Sequence, residues 1–101
     1  MEELALRPTE INETRYKHDY CVVWKSEIYG ERHAGRIRLA TEREWAGEVW
    51  EFSLQPIIAV PAYGNGSAPT LKEAQQKFRA AFERFCRDDA GDLGKAFPRR
   101  V

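Results

Sequence analysis

Apolar side chains fall at every second position from Arg36 to Ala40 and again from Glu48 to Gln55. From Leu71 to Phe85 they recur instead at every third or fourth. A period of two lines one side of a pleated strand, and a period near 3.6 lines one side of a helix. A chain that changes period once in this way is restricted to sheet segments followed by a helix, an α+β arrangement.

The segment His33-Ala34-Gly35-Arg36-Ile37-Arg38-Leu39-Ala40 interleaves basic with aliphatic residues, as a strand with one wet face does. In Glu48–Gln55 the alternation sets Trp50, Phe52 and Leu54 on one face. Ahead of both, Tyr20-Cys21-Val22-Val23-Trp24-Lys25 is dense in β-branched and aromatic residues and predicts a further strand. Short connections between these three favour an antiparallel meander. Pro56 and Pro61 bracket Ile57 to Val60, so the chain leaves the sheet there or continues only as an edge. Tyr63 to Pro69 reads as a loop by composition.

Thr70-Leu71-Lys72-Glu73 has the spacing of a capping box, in which the threonine oxygen accepts from the third helical amide. Leu71, Ala74, Phe78, Ala81, Phe82 and Phe85 then form an apolar stripe. The helix is predicted to run to about Arg87, roughly 25 Å at 1.5 Å per residue. With 101 residues the chain holds one domain. The expected organisation is a lead-in segment at 1–17, a βββα domain at 18–88 and a flexible tail at 89–101. In fold class this is α+β, a three-stranded antiparallel meander with one C-terminal amphipathic helix on one face.

The helix stripe is expected to pack on Ile37, Leu39, Trp50, Phe52 and Leu54. In the first strand either Tyr20, Val22 and Trp24 or Cys21 and Val23 face the helix, and the former set buries more apolar area. One helix covers one face of a sheet, so the other face is where recognition is expected. The candidate interaction surface is Arg36, Arg38, Trp45, Val49 and Glu51. Arg36 and Arg38 lie two apart on one strand side, and Trp45 is a potential anchor in a charged connection.

Sixteen basic side chains balance sixteen acidic ones. This argues against a dedicated duplex binder, whose affinity rests on a surplus of Lys and Arg. Cys21 and Cys86 could make at most one bridge, and Met1-Glu2-Glu3-Leu4-Ala5 has the composition of no signal peptide. The expectation is a cytoplasmic protein with reduced thiols and no membrane contact. His18, His33 and the two cysteines lack the paired spacing of a zinc site, so neither metal nor cofactor is expected. Gly64-Asn65-Gly66-Ser67 precedes a helix but lacks the ending of a phosphate-binding loop. No catalytic set emerges, and an enzyme is not expected.

The run Asp19-Tyr20-x-Val22-Val23-Trp24, then Gly35-Arg36-Ile37, Trp50-x-Phe52-Ser53-Leu54, Thr70-Leu71-x-Glu73-Ala74 and Phe78 to Phe85 resembles a group of small uncharacterised proteobacterial proteins. The resemblance covers residues 19–87 and implies the βββα pattern with no assigned activity. In topology, three strands followed by a helix also resemble the DNA-binding domains of plant ethylene-response factors and the arm regions of tyrosine integrases. That likeness implies a sheet laid in the major groove. The Thr-Leu-x-Glu-Ala opening is similar to that of HicB-type antitoxins. The leading expectation is a protein-binding or self-associating module using the open sheet face, with an unknown protein partner or a homodimer. The alternative is nucleic-acid binding through Arg36, Arg38 and Trp45, with Lys25 or Arg43 on phosphates.

Overall fold

The computed structural model describes residues 3–40, 48–97 and 99. Five strands, β1 (Glu3–Ile11), β2 (Thr14–Ser26), β3 (Gly30–Ala40), β4 (Val49–Leu54) and β5 (Asn65–Ala68), form one antiparallel sheet in chain order. The helix α1 (Leu71–Asp88) and a single turn, α2 (Leu93–Ala96), follow. The α+β class and the antiparallel sheet match the sequence reading. Among the described residues the strands number five rather than three, because neither edge segment carries the sustained alternation that marks a strand in the sequence.

The first added strand comes from the residues expected as a lead-in. Ile11 lies opposite Thr14, so Asn12 and Glu13 alone make the turn, and both adopt left-handed backbone with φ of 50° and 66°. Two-residue turns of that hand match the twist of the flanking strands. Pro8 sits within β1, which an edge strand tolerates, and the pairing shifts register between Pro8 and Glu10.

The second added strand, Asn-Gly-Ser-Ala, is made of weak strand formers held by pairing with β4. Gly66 faces Phe52 so closely that a Cβ there would lie 2.7 Å from Phe52 Cε2. The aromatic ring covers the glycine, which supplies the packing that the glycine itself lacks.

The helix starts where the capping pattern predicts. Thr70 Oγ1 accepts from the Glu73 N–H at 3.1 Å, and α1 ends one residue beyond the expected Arg87. Its buried residues Ala74, Phe78, Ala81, Phe82 and Phe85 pack on the sheet, with α1 lying over β3, β4 and β5. Gly35 lets the Phe78 ring sit against the strand backbone. A Cβ there would fall 2.2 Å from the Ser53 carbonyl oxygen and 2.6 Å from Phe78 Cε2.

Val22 and Trp24 join the core under the helix, Trp24 meeting Phe82 edge-on at 5.4 Å, so strand β2 takes the register that buries the larger set. Opposite it, β3 carries one extra residue, because Val22 faces Gly35 and Val23 faces His33. Ala34 is that residue, and it is fully buried.

Residues 90–97 are packed, in place of the flexible tail expected from residue 89 onward. Phe97 is fully buried against Trp24, Phe82 and Phe85, with ring centroids 5.3 to 5.8 Å apart. Arg32 Nη1 donates to the carbonyls of Gly94 and Phe97, each at 3.3 Å, and the Ile57 N–H donates to the Ala96 carbonyl at 2.8 Å. The physical reason is area. One 18-residue helix leaves the aromatic end of the sheet uncovered, and Ala90, Ala96 and Phe97 fill that gap.

Candidate functional site on the open sheet face

The alternation of five strands sorts side chains between two sides, and α1 with the C-terminal turn occupies one of them. The opposite side carries Arg7 and Thr9 from β1, Asp19, Cys21 and Val23 from β2, and Arg36 and Arg38 from β3. Val49, Glu51 and Ser53 from β4 and Asn65 and Ser67 from β5 lie on the same side. Here β3 to β5 form a trough of about 540 Å³ bounded by Arg36, Arg38, Glu51, Ser53, Asn65 and Ser67. Most of its lining residues are polar, with both signs of charge, and Phe52 and Gly66 also contribute.

The charges are organised in cross-strand pairs. Arg36 forks onto Asp19, Nε donating to Oδ1 at 2.7 Å and Nη2 donating to Oδ2. Thr9 Oγ1 donates to the same Oδ1 at 2.8 Å and lies 3.7 Å from Cys21 Sγ. The Arg36 hydrogen bond holds the Asp19 carboxyl below its usual range. Partial burial opposes that shift, and the Thr9 hydroxyl adds to it. The same carboxylate raises Arg36 above its ordinary value. Arg38 and Glu51, direct partners across β3 and β4, approach to 3.4 Å in a largely solvated pair. His33 Nε2 meets Gln55 Oε1 at 2.7 Å.

Of the five predicted surface residues, Arg36, Arg38 and Glu51 come together on the trough. Val49 is half-buried opposite Ala40, at the end of β4. Trp45 and Arg43 lie outside the described residues. Sequence reasoning missed Thr9 and Arg7, which reach this side only because β1 exists, and Asn65 and Ser67, which needed β5. Asp19 was visible as the residue before an apolar strand, but its pairing with Arg36 runs diagonally and no local spacing announces it.

Among the described residues no group of three or more His, Cys, Asp or Glu side chains could hold a metal ion, and no helix is long and apolar enough to cross a membrane. Comparison with protein-family models, with curated proteins and with solved structures gave no match.

Proposed function

We propose that the protein is a non-enzymatic binding module that takes a polar segment of a partner protein across the open face of β3, β4 and β5. The observation that carries this reading is the trough itself. It is concave, lies on the side away from the helix, and offers guanidinium, carboxylate, hydroxyl and amide groups within one patch. Such a mixture suits a peptide backbone and side chains of both charges. The side chains with chemical potential have other partners: Thr9 beside the Cys21 thiol, Gln55 on His33. Two cysteines outside any disulfide suit a reducing compartment, so the partner is sought in the cytoplasm.

Nucleic-acid binding is the second reading, favoured by Arg36 and Arg38 standing two apart on this face. Against it, each is already tied to a carboxylate, Asp19 or Glu51.

The test places a photo-crosslinking residue at Ser53, which lines the trough, and a control at Lys72, on the helix exterior. The expected result is a protein adduct from Ser53 in cell lysate and none from Lys72. Equal labelling from both positions, or no adduct from Ser53, overturns the proposal. A nucleic-acid adduct whose yield collapses with rising salt transfers the function to the second reading.

A further inference from the structure

The sheet has two edges of very different character. β5 is four residues long and is hemmed by Pro69, whereas β1 runs for nine residues and, among the described residues, pairs with β2 on one side alone. Its other side therefore presents backbone N–H and C=O groups to whatever lies beside it.

We infer that β1 is the interface of a two-fold homodimer, in which Glu3–Arg7 of two copies pair antiparallel with Ala5 opposite itself. The sequence Glu3-Leu4-Ala5-Leu6-Arg7 is complementary to its own reverse. In this register Glu3 faces Arg7 of the second copy, Leu4 faces Leu6, and the two-fold axis repeats each pair. Directly opposed side chains lie on one side of a sheet, so Leu4 and Leu6 meet on the helix side and Glu3 and Arg7 on the open side. Neighbouring registers lose this match. A shift by two places Ala5 against Arg7 and Leu4 against Pro8.

The surroundings fit the same arrangement. Leu4 and Leu6 are half-buried at the border of the core, beside a cleft of about 110 Å³ that also touches Phe78 and Arg79, so their outer surfaces remain to be covered. Within one copy Glu3 already faces Lys25, and Arg7 is paired with Glu31. Dimerisation therefore extends an alternating row, Lys25, Glu3, then Arg7 and Glu31 of the second copy. Pro8, lacking an N–H, stops the new ladder just past Arg7. The inference does not rest on the trough reading, since the surfaces differ.

Sedimentation of the full chain from micromolar to millimolar concentration tests it, with circular dichroism to confirm folding. The wild type is expected to rise from 11.7 kDa toward twice that mass. Glu3→Arg alone sets like charges opposite twice, as does Arg7→Glu alone. Each variant is expected to raise the dimer dissociation constant about tenfold or more. An equimolar mixture of the two single variants makes every opposed pair complementary again, and a heterodimer is expected with affinity near the wild type. A wild type that stays monomeric, single variants that dimerise normally, or a mixture that fails to associate overturns the inference. The Ser53 crosslinking result is unaffected by any of these outcomes, so the two proposals fail separately.

Discussion

The two sides of one sheet are held by different forces. Under α1, β3 to β5 are sealed by Phe52, Phe78, Phe82 and Phe85, with Phe97 and Trp24 closing the end in edge-to-face contacts. On the far side the same strands carry pairs of opposite charge, a threonine-carboxylate contact and a histidine-glutamine bond. Apolar burial is non-directional and additive in area, so the first side carries the stability. Charge pairs fix which side chains stand where, and their net worth near solvent is small. The difference teaches that the pattern on the open face fixes the placement of side chains more than it adds to stability.

The largest expected effect breaks the sealed side. Phe78→Ala removes a ring that stacks on Phe82, meets Phe52 and covers Gly35. It is expected to cost about 3 to 5 kcal/mol in urea denaturation, enough to unfold a domain of this size or nearly so.

Val23 sharpens the contrast, because it is 1% exposed although it points away from the helix and stands outside the main core cluster. Val23→Ala is expected to cost about 2 kcal/mol by loss of buried methyl groups. A cost near zero would show that this buried apolar point adds little to stability.

The smallest effect belongs to the charge network. Asp19→Asn is expected to cost about 1 kcal/mol at neutral pH, discounted because Arg36 is 38% exposed. The sign with pH follows from the lowered carboxyl. The folded value lies below the ordinary 3.8, so the pair contributes fully above that value and is lost as pH falls through the folded one. Wild type and Asp19→Asn should therefore converge in stability as pH falls below about 4. A gap that persists unchanged at acid pH would assign the cost to packing instead.

Legibility in the sequence tracked how much of each element's stability is local. The helix start was readable because Thr70 and Glu73 carry it within one turn, and β4 was readable because Trp50, Phe52 and Leu54 alternate. β1 was not, because Pro8 and a turn of Asn12 and Glu13, with Glu at a left-handed position usually given to glycine, hide a hairpin that is defined by pairing. β5 was hidden for the same reason. Its residues disfavour strands, and only Phe52 on the neighbouring strand makes Gly66 fit. The trough was half legible. Arg36, Arg38 and Glu51 follow from alternation, while Asn65, Ser67 and the Asp19 fork depend on strands brought together from distant parts of the chain.

The seat of Phe97 sets a temporal order on how this protein is made. Its ring closes a cluster begun by Trp24, seventy-three positions earlier, and Arg32 clasps the carbonyl that follows it. During synthesis every strand and the long helix emerge before that ring does, leaving indole and phenyl surface bare in the nascent chain. Clipping the polypeptide just past the helix would recreate that sticky intermediate permanently, and a chaperone that grips aromatic patches would find its handle there.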